Sequence, residues 1–405
     1  MTACAASRTV AIAAPAIAAL AIAVVPAARA DCAGDHELKT IPLPVWATSP
    51  NEGSTWGVMP VFLRVCAADQ STEWLIAPSV TWNSVIHLTA SLRFYAYPDP
   101  DTVLSVTGSV STRINRRLVG RWQRLPAADG AWTDEAALGV ERSAFARFFG
   151  LGPDAPASAQ TSYTSARVVA SERRGRNLID HLNAGILVGF ERDAIEDRGV
   201  PGLPLAPERF PGVPGMRGST VLWQGIDLRY DDRVGGDYAE QGMRLEASFA
   251  VVEGLVRSPT FVRGGAQARV VVPELAWLSG AARAMWTAVS DPGAPFYLQS
   301  GLGGSFALRG FPDGRFVDRQ AWTIEGEQRI RLVQTHLLGV AVDWRADPFL
   351  AVGQVFRDLG GALSHPRLTG GVGLRAVVHP SLVGRVDLAS GGEGISVYVE
   401  IGYPY

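Results

Sequence analysis

Side chains able to do chemistry crowd into one short stretch, GGSFALRGFPDGRFVDR, from Gly303 to Arg319. It sets Arg309, Arg315 and Arg319 beside Asp313 and Asp318, among glycines. Guanidinium and carboxylate groups at this spacing suit ion pairing. They supply no nucleophile with an adjacent base. Catalytic signatures are missing elsewhere too. Gly303-Gly304-Ser305-Phe306-Ala307 lacks the last glycine of a nucleophile elbow, and His36-Glu37-Leu38 has no second histidine behind it. No Walker motif occurs, and His36, His87, His181, His336, His365 and His379 have no metal-ligand spacing. The expectation is no enzyme, no cofactor and no metal. A net charge of −2 leaves no electrostatic footprint for nucleic acid.

The elements that must position this stretch read as strands. Residues 1–30 form a signal peptide: Arg8, an apolar run from Val10 to Ala27, then the cleavage site Ala28-Arg29-Ala30. No lipidation sequence precedes Cys32. Nothing later offers the ~18 consecutive apolar residues of a membrane helix, although mean hydropathy is +0.11. Export, apolarity and the lack of such helices point to a β-barrel, because only helices and closed barrels satisfy their backbone in lipid.

The alternation has period two. Leu88, Ala90, Leu92, Phe94 and Ala96 oppose His87, Thr89, Ser91, Arg93 and Tyr95; Trp322, Ile324 and Gly326 oppose Thr323, Glu325 and Glu327. A soluble sandwich would use the same pattern. Charges recurring mid-strand, and strands longer than the usual ~5–6 residues, favour the barrel. So does the end, ISVYVEIGYPY, where Val397, Val399, Ile401, Tyr403 and Tyr405 share one face. Tyr403 and Tyr405 form the terminal aromatic signal of an outer-membrane strand. Residues 31–405 are thus expected to form one all-β, antiparallel transmembrane barrel. Dividing them into strands of ~10 residues plus turns gives about sixteen strands. The Pro/Gly-rich segment Val200–Gly218 reads as a long loop. Cys32 and Cys66 stay in the exported chain, either as free thiols or as a disulfide.

Several segments resemble the bacterial surface antigen family, the outer-membrane assembly and translocation barrels of the BamA/TamA type. They are IPLPVWATSPNEGSTWGV, RFFGLGPDAPASAQTSYTSARVV, LRYDDRV and DPGAPFYLQSGLGGSFALRGFPDGRFVDRQAWTIEGEQRIRL, followed by GVGLRAVV, RVDLAS and the terminal strand. The resemblance implies that the loop carrying Arg309, Gly310 and Phe311 folds back into the lumen. It also implies that Glu327 on the next strand receives Arg309. The family's second acid, in a Phe-x-Asp-x-Gly pattern, falls at Ala351 in Phe349-Leu350-Ala351-Val352-Gly353. Asp343, Asp318 and Asp387 are the candidate substitutes. The family's periplasmic POTRA modules do not fit into Asp31–Lys39, so a barrel-only member is expected. With Ile41–Thr48 as the first upward strand, Cys66 reaches the periplasmic rim near Cys32, and a disulfide between them is predicted.

The resemblance implies a bacterial outer-membrane protein that inserts or translocates protein or lipid through a lateral gate between the first and last strands. Pro42, Pro44 and Pro404 weaken that seam. Its expected partners are outer-membrane lipids and lipopolysaccharide, the machinery that assembles it, and a client polypeptide or lipoprotein. The alternatives are a passive or plugged pore and a surface-interaction barrel.

Overall fold

In a computed structural model of the chain, the structure describes residues 32, 35–68, 71–234, 239–337, 340–378 and 382–401. The expected signal peptide with Cys4, and Tyr403, Pro404 and Tyr405, lie outside them. The strands, in chain order, are β1 (His36–Ser49), β2 (Gly53–Cys66), β3 (Thr72–Asn83), β4 (His87–Asp99), β5 (Thr102–Ser111), β6 (Arg116–Arg124) and β7 (Trp132–Phe148). They continue as β8 (Thr161–Ile179), β9 (Leu182–Glu196), β10 (Ser219–Asp231), β11 (Gly242–Val256), β12 (Phe261–Leu275) and β13 (Leu278–Val289). A short ribbon, β14 (Ser300–Leu302) with β15 (Phe316–Asp318), interrupts the series. It resumes with β16 (Gln320–Leu337), β17 (Val340–Phe356), β18 (Arg367–Val378), β19 (Leu382–Ser390) and β20 (Ile395–Ile401).

All strands but the ribbon join one antiparallel sheet, which β1 closes against β20 into an 18-stranded barrel. The count exceeds sixteen because many connections are tight, two residues between β4 and β5, β8 and β9, and β12 and β13, so eighteen strands fit although most are longer than ten residues. The first strand also starts earlier than expected. Its segment from His36 already pairs with β2, in the register His36↔Cys66.

The short connections between strands share one end of the barrel with the N-terminus; the opposite end carries the long loops 197–218 and 290–319. Alternation sorts the side chains. Val58, Val80, Leu138, Ile226 and Ile324 stand exposed on the outer face, while Glu191, Arg173, Asp227, Glu325 and Arg375 are buried inside. Tryptophans mark both rims of the apolar belt. Trp46, Trp56 and Trp82 lie side by side across β1, β2 and β3 near the loop end. Trp122, Trp132 and Trp277 stand exposed near the turn end. Aromatics banded at two levels around an apolar belt are what a bilayer-spanning barrel requires.

Candidate functional site

The stretch 290–319 leaves β13 at the loop end and turns into the lumen before β16 begins. Its ribbon pairs Ser300↔Asp318 and Leu302↔Phe316. Leu302, Leu308, Phe311 and Phe316 form one buried cluster with Ala321, Ala351 and Val355 of the wall. Phe311 and Phe316 meet edge to face, 5.0 Å apart. Gly310 has φ 113°, and a Cβ there would stand 2.8 Å from the Ser390 carbonyl carbon. Backbone thus packs on backbone where no other residue fits.

That approach delivers Arg309, fully buried, to the inner wall. Its Nη2 donates to Glu325 and to Glu327, the latter at 3.1 Å. Nη1 lies 3.4 Å from Asp387, and the guanidinium sits 3.5 Å from the Phe349 ring centroid. The acids have further partners. Arg283 lies 3.4 Å from Glu325, and Arg329 lies 3.2 Å from Glu327. Arg375 lies 3.1 Å from Asp347 and 2.7 Å from Asp387. Arg385 lies 3.4 Å from Asp387 and also pairs with Glu400. Arg283, Arg309, Arg329, Arg375 and Arg385 thus face Glu325, Glu327, Asp347, Asp387 and Glu400, and the charges balance. Balance matters here, because an uncompensated buried charge costs about 3–5 kcal/mol.

Ala351 now has a physical context. It sits directly across from Glu325 in the β16–β17 register, and both are buried facing the plug. An aspartate at 351 would place a second carboxylate beside Glu325. The acid missing from β17 is supplied from the opposite strand, with Asp387 as a third contact. Of the three candidate substitutes, Asp387 reaches Arg309; Asp318 instead lies 3.8 Å from Arg357.

The plug is fastened on both sides of the closure. On the β20 side, Tyr398 donates its hydroxyl to the Phe311 carbonyl at 2.8 Å, and Ser396 donates to the Gly310 carbonyl at 3.1 Å. Arg315 grips Glu393, in the β19–β20 turn, at 2.7 Å. On the β1 side, Asn51 in the β1–β2 turn donates to the Asp313 carbonyl at 3.0 Å. Burial raises the Asp313 carboxyl above its ordinary range, against the pull of the Gly314 N–H.

Among the described residues, β1 and β20 share one register pair, Thr48↔Val399, whereas β1 and β2 pair from His36↔Cys66 to Ser49↔Gly53. Proline explains part of the contrast. Pro42 faces Pro60 directly, and two residues without N–H cannot form the hydrogen-bonded kind of antiparallel pair. Pro42 therefore turns its nitrogen away from β2, as does Pro44 two residues on. The β1 edge that faces β20 lacks both donors.

Both mouths are narrowed. At the loop end Phe148, Tyr163, Ala206, Met216, Phe296 and Val317 form an apolar cap. It seats the 197–218 loop, through its helical turn Ala206–Arg209, on the plug loop. At the turn end Glu240, between β10 and β11, reaches Arg331 and Arg345 at 2.8 Å each, and Arg329 donates to the Ala239 carbonyl at 3.1 Å. Cys32 is joined to Cys66 by a disulfide, with Cα atoms 5.8 Å apart. Cys32, His36 and Glu73 lie close together. The sulfur is spent in the disulfide, however, and Glu73 pairs with His36 at 3.1 Å and Arg64 at 3.0 Å, so the cluster is structural.

Among the sequence candidates, the structure brings together Arg309, Gly310, Phe311 and Glu327, and it joins Cys32 to Cys66. Glu325, Arg283, Arg375, Asp347 and Tyr398 were not singled out. Alternation already put Glu325 on the inner face. It also put Tyr398 opposite the apolar face of Val397 and Val399, which was the available signal.

No protein-family model and no curated protein matches the sequence. Solved structures do match by shape. The crystal structure of BamA from Haemophilus ducreyi lacking POTRA domains 1-3 aligns with a TM-score of 0.56 at 12% identity, over 89% of this chain and 75% of that one. CdiB from Acinetobacter baumannii aligns with a TM-score of 0.46 at 12% identity, over 90% of this chain and 59% of that one. Taken with the closed antiparallel sheet and the inward loop, the first of these likenesses makes the fold of this chain that of a BamA-type outer-membrane barrel.

Proposed function

We propose that this barrel inserts or translocates cargo at the bacterial outer membrane, with the β1–β20 seam as a lateral gate and the Arg309 loop as its latch. The observation that carries the reading is the seam: two missing donors on the β1 edge, a plug bonded to both flanks, and one register pair among the described residues. A strand edge without its ladder can accept a client strand or part to admit a lipid. The latch has to resist casual opening, and the Arg309 network together with the Tyr398 and Asn51 contacts supplies that resistance. In this reading the long loops face outward, residues 1–30 direct export, and lipids, a client polypeptide or lipoprotein and the cell's barrel-assembly machinery are the partners. It calls for no catalytic residue and no cofactor. The plug and the apolar cap weigh against a free passive pore.

The test is a reversible lock. Thr48→Cys with Val399→Cys, in a Cys32→Ser/Cys66→Ser background, places a disulfide across the seam. Oxidation should alter growth or outer-membrane composition, and reductant should restore it. A locked barrel that matches wild type in both assays overturns the gate.

A further inference from the structure

The lumen has two unlike walls. The β16–β19 wall carries the plug and paired charges. Beside the seam, the inward face of β1–β3 is apolar: Ile41, Leu43 and Val45 from β1, Met59 and Val61 from β2, and Ala77 from β3 pack as one cluster. The plug contributes nothing to that cluster. The opposite face of these strands carries Trp46, Trp56, Val58, Val80 and Trp82, all exposed outward, so the barrel is apolar on both sides here. Met59, Val61 and Ala77 are buried at its centre, and Ile41, Leu43 and Val45 are half-buried at the edge beside the seam.

Next along the wall come two arginines. Arg93 on β4 and Arg121 on β6 share the inward face, because Leu88 and Trp122 on the alternate face are exposed outward. Arg93 lies between Ala77 and Thr107 in register, and Arg121 between Ser105 and Ala137. Neither faces an acid directly across the register, although Glu135 is diagonal to Arg121 on β7, and among the described residues neither makes an ion pair. Arg93 instead points Nη1 at the Met59 sulfur, 3.5 Å away, which places a cation on the border of the apolar strip. Arg121 is exposed within the lumen. Elsewhere on the wall Arg167, Arg173, Arg229, Arg309 and Arg375 meet carboxylates, and Arg263, by contrast, lies over the Trp223 ring.

We propose that the β1–β6 wall is a binding site for an anionic glycerophospholipid, with acyl chains on the β1–β3 strip and the headgroup phosphate on Arg93 and Arg121. From the seam inward, apolar surface comes first and cations second, which is the order of tail and head in a lipid that enters head first. Charge complementarity selects an anionic head, since two guanidinium groups outside any ion pair stabilise a phosphate and gain little from a zwitterion. The strip is about 10 Å wide across three strands and about 14 Å tall over Ile41–Val45. That area seats the inner part of two chains and not a glycolipid with many. The proposal rests on the gate reading and names its substrate class.

The test uses the full chain in mixed micelles, with a photo-crosslinking amino acid at Leu43. The probe is radiolabelled phosphatidylglycerol, with phosphatidylcholine as control. Phosphatidylglycerol should give an adduct several-fold above phosphatidylcholine, and Arg93→Ala with Arg121→Ala should reduce it several-fold. No lipid adduct, equal capture of both lipids, capture undiminished in the arginine variant, or a polypeptide or lipid A adduct from cell envelopes in place of phospholipid each overturns the proposal. The seam lock separates the two readings. Lipid captured at Leu43, with a lock that changes nothing in cells, keeps the site and discards the gate. A lock phenotype without lipid capture keeps the gate and discards the site.

Discussion

The β16–β19 wall and the β1–β6 wall come from the same alternating pattern and end in opposite states. On the first, each inward arginine meets a carboxylate, and a folded loop fills the space in front. On the second, Arg93 and Arg121 make no ion pair among the described residues and stand beside an apolar strip, and the nearby β1 edge lacks the donors of Pro42 and Pro44. Buried charge therefore locks one half of the barrel, and missing backbone donors loosen the other. The plug loop joins them, since Arg309 is anchored in the charged wall while Gly310, Phe311, Asp313 and Arg315 hold both flanks of the seam.

The comparison breaks most severely at Arg309. Arg309→Ala leaves Glu325 and Glu327 short of a counter-charge, at a cost of about 3–5 kcal/mol. The folded band on a semi-native gel should be lost at a clearly lower temperature. Combining Arg309→Glu with Glu327→Arg should not restore it, because Glu325 and Asp387 would then face a carboxylate. An Arg309→Ala barrel as heat-resistant as wild type would show the charged wall stands without its plug.

Ala351→Asp tests the cross-strand exchange. Alone it should destabilise by about 1–3 kcal/mol, and Glu325→Gln in the same chain should recover most of that, a coupling within the usual range for residues in contact. Equal effects in both backgrounds would mean positions 325 and 351 act independently.

Tyr398→Phe removes the donor to the buried Phe311 carbonyl, at about 1–3 kcal/mol. The plug should become more open to protease near Phe311 while the barrel stays folded. Unchanged cleavage would remove Tyr398 from the latch.

The smallest effect is expected at the seam. Pro42→Ala with Pro44→Ala returns two donors to the β1 edge, at about 0.5–1.5 kcal/mol for each bond formed. Amide exchange of β20 should slow and the gel transition should rise slightly. Faster exchange at β20 would mean the prolines tighten the closure.

How much of this could be read in advance depended on what alternation encodes. It assigns faces, so Glu325, Glu327 and Arg329 were legible as inward and Ile324 as outward. It does not assign rows. Which inward acid meets Arg309 depends on how deep the loop descends, and that depth is set by Gly310 resting on the Ser390–Gly391 backbone and by Phe311 packing under Ala351. Glu327 was therefore legible. Glu325 was visible on the right face but not chosen, and Asp387 was one of three candidates. The strand count came out at eighteen and not about sixteen for a similar reason, because an even division cannot sense how many connections are only two or three residues long.

The sequence by itself determined that the chain is a sheet with one apolar and one polar face, that its glycine-rich arginine loop differs from the strands around it, and that prolines interrupt the first strand. Each of these is local, written in residue type and period. Only the tertiary structure decided that the sheet closes with eighteen strands, that Glu325 compensates Ala351 across a strand pair, and that Arg93 and Arg121 make no ion pair among the described residues while Arg309 meets three acids. Those outcomes depend on which distant strands become neighbours, and neighbours in a barrel are fixed by register and closure, which no single stretch of sequence contains.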